Sequence, residues 1–408
     1  MTTISTSATR THSTARHAGG FWIIAAAFLV MMAFSALPTP LYAIYQARDG
    51  FPTFMVTVIF AAYAVGVMLS LYFVGHVSDW LGRRRIILAA ILVNILSAIV
   101  FLFWPEIGGL IVARFINGLA IGALTATATA HLAELRAVSR PDEPRSRSGI
   151  ISGVVNIGGI GLGPLVGGVF AQFVNGPLRV PYVTFLVLLV IAGIAVAFVP
   201  ETVHRSGERR AYRPQRVSLP AGSAPTFFSA GAGVFSAFAI FGLFMSLAPS
   251  FLSGTLHETS RLLSGVVPFA VFGSAALAQV VFARLTLRAQ LILSFVLMLT
   301  GIALLATSVL VVSLAAFIVA GVLAGAGVGL QFRSSIGVAA SLAAPESRGE
   351  VLAAVFLIAY TGLAVPVLLV GLALAFLPST AVLVGFAIIV AVLVVLATPR
   401  MIATQRAR

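Results

Sequence analysis

The 408-residue sequence contains no cysteine, and every basic residue other than histidine is arginine. Without thiols there is no disulfide, no thiolate metal site and no thiol chemistry, and cysteine usage marks no redox compartment. Charge of either sign is scarce: 9% of residues are charged and 60% are hydrophobic. A water-facing surface needs far more charge than that. The 11 acidic residues all fall in loops or near the ends of apolar runs. The 6 histidines show no ligand spacing such as His-Glu-x-x-His. No metal site, cofactor site or enzyme chemistry is therefore read, and no charged filter of a channel is visible.

What is abundant is apolar length. Mean hydropathy is +1.10, and about twelve runs are long enough to cross ~30 Å of hydrocarbon as helices of ~20 residues. They lie at 21–45, 55–77, 86–104, 108–133, 148–173 and 181–199, then at 227–251, 262–283, 289–310, 313–335, 350–374 and 378–397. β-barrel strands are excluded, because these runs are twice too long and do not alternate. The expected fold is an all-α membrane protein of twelve transmembrane helices in two pseudo-symmetric six-helix bundles. The boundaries read 1–20 as a disordered tail, 21–202 as the first bundle, 203–225 as a linker, 226–399 as the second bundle and 400–408 as a second tail. Arg10 and Arg16 before an apolar run could mimic a secretory signal. The run is long enough to span, so it is taken as a retained first helix.

Arginine placement sets the expected orientation. With the N-terminus in the cytoplasm, 21 arginines fall on cytoplasmic segments, 3 (Arg48, Arg179, Arg261) on outer loops, and Arg114 inside a span. Both termini are expected in the cytoplasm, with the chain in the cytoplasmic membrane. The formal charge of +14 is thus a matter of topology, and no nucleic-acid partner is inferred.

The halves echo one another. Gly118 and Gly122 of the fourth run match Gly325 and Gly329 of the tenth at an offset of 207. Pro164 of the fifth run matches Pro366 of the eleventh at an offset of 202. Weak internal repetition of this kind is a mark of transporter folds.

Three motifs carry a family resemblance. The loop after the second run reads Gly75-His-Val-Ser-Asp79-Trp-Leu-Gly82-Arg83-Arg84-Arg85, which resembles motif A of the major facilitator superfamily. Gly75 permits close helix approach, Gly82 a tight turn, and Asp79 can rest against a helix N-terminus. The resemblance implies a conformational latch: Asp79 against the eleventh helix near Arg348–Glu350, and Arg83 paired with Glu134. The fifth run carries Gly159, Gly163, Pro164, Gly167 and Gly168, resembling motif C of the superfamily's exporters. Arg114, Asn117 and Gly118 resemble motif B, whose arginine is linked to proton coupling. Val199-Pro200-Glu201-Thr202 also looks like this superfamily.

The resemblance implies a secondary transporter exporting a small drug-like or metabolite molecule by alternating access, with possible proton antiport. The alternative is a facilitator or importer of sugars or organic acids. Such exporters usually hold a carboxylate within a span, and this chain has none. The remaining proton carriers are Glu134, Asp79, His131 and His76. An interior without acid favours a lipophilic neutral, zwitterionic or anionic substrate. The expected cavity residues are Thr39, Tyr42, Asn117, Asn156, Phe241, Phe244, Gln279, Gln331 and Tyr360, beside Arg114. The expected partners are the lipid bilayer, the substrate and, where antiport drives transport, protons, with the chain acting as a monomer.

Overall fold

The structure is a computed structural model that describes residues 5–74, 77–143, 145–203, 222–342 and 348–404; side chains are described from Thr14 onward, save those of Asp79, Arg145, Ser146 and Arg348. Twelve long helices dominate: α1 (Ser5–Ala36), α2 (Thr53–Val74), α3 (Arg83–Phe103), α4 (Ile107–Ser139), α5 (Arg145–Phe173), α6 (Val180–Ala197), α7 (Ala224–Ser246), α8 (Arg261–Val281), α9 (Leu287–Leu310), α10 (Leu314–Leu342), α11 (Arg348–Ala373) and α12 (Ser379–Thr404). All twelve are long and apolar enough to cross a membrane, and no strand occurs among the described residues. α1 runs back to Ser5 through the segment read as a tail, and α12 runs on to Thr404. Most of the 203–225 linker lies outside the described residues.

Local sequence explains the breaks. Pro38 and Pro40 lack the N–H that a continuing helix needs, so α1 stops at Ala36 and the chain re-forms as short turns, Thr39–Leu41 and Tyr42–Asp49. Gly82 sits at φ +104° and turns the chain from the short helix Ser78–Leu81 into α3. Pro164, Pro268 and Pro366 are absorbed inside α5, α8 and α11, where neighbouring helices can accommodate the freed backbone.

Within the first half α2 packs on α4, α3 on α4, and α1 on α5. The second half repeats this as α8 on α10, α9 on α10, and α7 on α11. The repetition reaches individual atoms. A β-carbon at Gly118 would lie 2.1 Å from the Tyr63 carbonyl oxygen, and one at Gly325 would lie 2.3 Å from that of Val271. One turn on, Gly122 faces the Val67 carbonyl and Gly329 that of Ala275. In each half, glycines let two helices touch backbone to backbone, and this contact replaces the hydrophobic drive that lipid cannot supply.

The halves meet through α5 with α8 and α2 with α11. Gly159 and Gly163 press α5 onto α1 and Gly167 presses it onto Leu37 and Pro40 just beyond, while Gly168 and Pro164 press it onto Gly265 of α8. At the end away from the arginine-rich loops the halves are closed. There Thr39 donates to the Met245 sulfur at 3.0 Å, and a β-carbon at Gly371 would strike Thr57.

Candidate functional site

A small cavity of about 60 Å³ lies between the halves. Ser35, Tyr63, Arg114, Thr125 and Asn156 supply its polar groups from the first half. Phe238, Phe241, Phe272, Phe332 and Phe356 form an aromatic wall from the second half, joined by Met245 and Tyr360. The rings brace each other: Phe241 stacks on Phe272 at 4.0 Å, and Tyr63 meets Tyr360 edge to face at 6.5 Å across the two halves. Thr125, Asn156, Phe332, Phe356 and Tyr360 also line a larger space of about 560 Å³, which runs past Thr129 and Ala133 to Arg83 and Gly349. The path therefore opens toward the arginine-rich face and is closed at the other.

Arg114 is the feature that departs most from its surroundings. It is 2% exposed and projects from α4 about two turns inside its start. One Nη1 donates to the Ser35 carbonyl oxygen, made accessible because Pro38 and Pro40 prevent helical continuation beyond α1; the same nitrogen reaches Asn117 Oδ1 at 3.4 Å. The guanidinium stacks over the Tyr63 ring at 4.3 Å, an attraction that desolvation strengthens. Asn117 in turn donates to Asn94 at 2.6 Å. Among the described residues, no carboxylate lines the cavity. An uncompensated arginine at membrane depth costs ~2.5–3.5 kcal/mol on insertion scales, so its retention beside a cavity is informative.

At the arginine-rich face a second cluster ties α3, α4 and α6 together. Arg83 pairs with Glu134 at 3.0 Å and donates to Ser78 at 2.7 Å, and Thr202 donates to the other Glu134 oxygen. Glu201 caps α3: its carboxylate accepts from the backbone N–H groups of Arg83 at 2.9 Å and Arg84 at 3.2 Å. The Arg84 side chain donates to the carbonyls of Ala197 and Val199. His131 is buried with Nε2 3.1 Å from the Pro200 carbonyl. Arg85 is exposed, while Gly75 and the Asp79 side chain lie outside the described residues.

Of the cavity residues expected from sequence, Asn156, Phe241 and Tyr360 line the wall together with Arg114. The others are engaged elsewhere. Phe244 packs on Phe317, and Gln331 accepts from Ser294 at 2.8 Å. Gln279 lies against Gly153, Thr39 holds Met245, and Tyr42 is buried outside the cavity lining. Asn117 and Gly118 act behind the wall, one in the Arg114 network and one against α2. Sequence reading passed over Tyr63, Phe238, Phe272, Phe332 and Phe356, which carried no signal to separate them from the chain's other aromatics. It also gave no role to Glu201, although a carboxylate next to a positive turn was a usable sign.

Comparison with known proteins agrees with this architecture. A family model described as Major Facilitator Superfamily matches residues 23–365. The probable metabolite transport protein CsbC of Bacillus subtilis (strain 168) is 30% identical over 148 residues, covering 35% of this chain and 31% of that protein. Multidrug resistance protein 2 of the same organism is 24% identical over 139 residues, covering 34% of this chain and 33% of that protein. Each of these matches thus spans about a third of the curated relative. The crystal structure of the human organic anion transporter MFSD10 (TETRAN) shares the fold, with a TM-score of 0.70 at 18% identity over 93% of this chain and 99% of that one.

Proposed function

The chain belongs to the Major Facilitator Superfamily, and from that premise we propose that it exports small lipophilic organic molecules, with a preference for those bearing a negative group. The observation that carries this reading is Arg114, an acid-free cation in the wall of an aromatic cavity. Apolar rings bind broadly and without direction, while one fixed charge sets the preferred orientation and sign of the ligand. A cationic substrate would meet repulsion and find no counter-charge among the described lining residues. Motif C along α5 and the likeness to a multidrug resistance protein support the outward direction. The likeness in fold to MFSD10, an organic anion transporter, supports the sign.

Alternating access would rock the α1–α6 half against the α7–α12 half around this cavity. The opening toward the arginine-rich face is then an inward-facing state in the cytoplasmic membrane; the motif A loop would latch one conformation of the cycle through Asp79, with the Arg83–Glu134 pair bracing that loop within its own half. Proton antiport, if it drives the cycle, would use Glu134, Asp79, His131 or His76 near the arginine-rich face, since the described spans hold no interior carboxylate. Import of a sugar or organic acid is the second reading, favoured by the match to a metabolite transport protein. A sugar needs many paired polar groups. Here the Ser35 and Thr125 hydroxyls already donate to backbone carbonyls of their own helices.

The test uses proteoliposomes and three matched fluorescent probes: a carboxylate, its methyl ester and an amine analogue. Wild type should carry the carboxylate fastest. Arg114→Gln should lower kcat/KM for the carboxylate about 10- to 100-fold, the worth of one charge-assisted contact, and leave the ester within about 2-fold. Equal handling of carboxylate and amine by wild type would end the proposal.

A further inference from the structure

The cavity beside Arg114 is too small for the whole of a drug-sized cargo. It encloses about 60 Å³, whereas sites for drug-sized ligands run to ~300–1,000 Å³. A carboxylate fits there, and a lipophilic body does not. The larger space of about 560 Å³ adjoins it directly, because Thr125, Asn156, Phe332, Phe356 and Tyr360 line both. The walls of this vestibule are mostly apolar. On α4, Ala126, Thr129 and Ala133 are exposed, and their three-and-four spacing sets them on one face. Ile336 of α10 and Leu352 and Ala353 of α11 line the same space. The Thr125 and Thr129 hydroxyls are already spent on carbonyls one turn back, at 2.8 Å each. At the rim Arg83 is held by Glu134, and among the described residues no carboxylate lines either space. An apolar chain running outward from Arg114 would cover carbon on both sides and strip water from little that needs it.

We propose that the vestibule is a tail-binding subsite and that the carried molecule is an elongated amphiphilic anion bound end-on. Its carboxylate sits inward at Arg114, and its lipophilic tail runs outward along the Ala126–Ala133 face of α4 toward the arginine-rich face. The anionic head rests on the transport reading above. The tail subsite stands on the two volumes and the neck they share. Compact organic anions of the same charge lack the tail contact and bind weakly.

The experiment uses the full-length chain in lipid nanodiscs. The sequence has no cysteine, so a single Ala133→Cys thiol reports occupancy of the vestibule through its rate of labelling by a soluble maleimide. Saturating octanoate should slow labelling about 10-fold or more and saturating acetate less than about 2-fold, since a ligand shields the thiol in proportion to its occupancy and only where its atoms lie. Acetate and octanoate carry the same head, so a change of conformation driven from Arg114 would slow both alike. In proteoliposomes, the concentration of acid that halves transport of the carboxylate probe should fall about 2- to 4-fold for each methylene from butyrate to octanoate, the span between half and full burial of that group. Ala126→Phe, by crowding the tail path, should weaken octanoate about 10-fold more than butyrate. Equal protection by acetate and octanoate, a flat chain-length series, or a series untouched by Ala126→Phe would overturn the tail subsite. Octylamine that protects and inhibits as well as octanoate would keep the subsite and sink the anion reading alone.

Discussion

Removing the Glu201 cap should cost measurable stability, and the loss should be coupled to Gly82. The Glu201 carboxylate accepts from the first two backbone N–H groups of α3. Loss of such a cap costs ~0.5–2 kcal/mol, and loss of a negative charge at a helix N-terminus costs ~0.3–1 kcal/mol more. Glu201→Ala should therefore cost about 1–3 kcal/mol, and Glu201→Gln less, because an acceptor remains. Gly82 stands at φ +104°, and a β-carbon there would lie 2.5 Å from Glu201 Oε2. Gly82→Ala carries a backbone penalty of ~1–3 kcal/mol plus that collision. In the double variant the collision is gone and the backbone penalty stays. The pair should then lose less than the sum of its parts, by on the order of 1 kcal/mol. Thermal melting of the four proteins measures this, with each kcal/mol worth about 2–4 °C. Strict additivity, or a Glu201→Ala protein melting like wild type, would refute the capping argument.

Two further outcomes are expected. Glu143 joins the end of α4 to the start of α5 through Arg136 and Arg147, and its hydrogen bond to Arg136 holds its carboxyl below the usual 4.5. A depressed acid stabilises the fold fully above its unfolded value and less as pH falls through its folded one. Glu143→Gln should thus lower the melting temperature at neutral pH and flatten its decline in acid, measured down to about pH 3. At the closed end, Gly168→Val should crowd Gly265, whose Cα already lies 3.1 Å from an ideal β-carbon at Gly168. An overpacking cost of ~1–3 kcal/mol would shift the population away from this conformation about 5- to 150-fold. The chain has no cysteine of its own, so thiol labelling of a Thr39→Cys reporter reads that shift directly, and labelling should rise.

The number and places of the helices were legible because lipid imposes a simple rule of ~20 apolar residues and arginine counts order the loops. The glycine repeat was legible too, and the structure shows its cause in paired backbone contacts at Gly118 and Gly325. The cavity wall was far less so. A span apolar on every side gives no periodic signal for which face looks inward. Phe244 and Phe241 lie three residues apart on α7, yet one is packed on Phe317 and the other lines the cavity. Polar residues misled for a related reason: Gln331 must satisfy its amide in a dry interior, and it does so with Ser294 behind the wall. The Arg114 bond to the Ser35 carbonyl depends on where α1 breaks. That break is set by two prolines that the sequence shows, but the partner it exposes is tertiary.

The cavity's polar atoms come chiefly from one half and its rings chiefly from the other. Directional bonds shared across a moving seam would have to break at every swing, whereas greasy contact tolerates sliding. A cargo gripped by its head to the α1–α6 body could stay anchored through the swing while its tail slips along the phenylalanines opposite. Head-group chemistry and tail shape would then be tuned by separate bundles, each free to drift without spoiling the other.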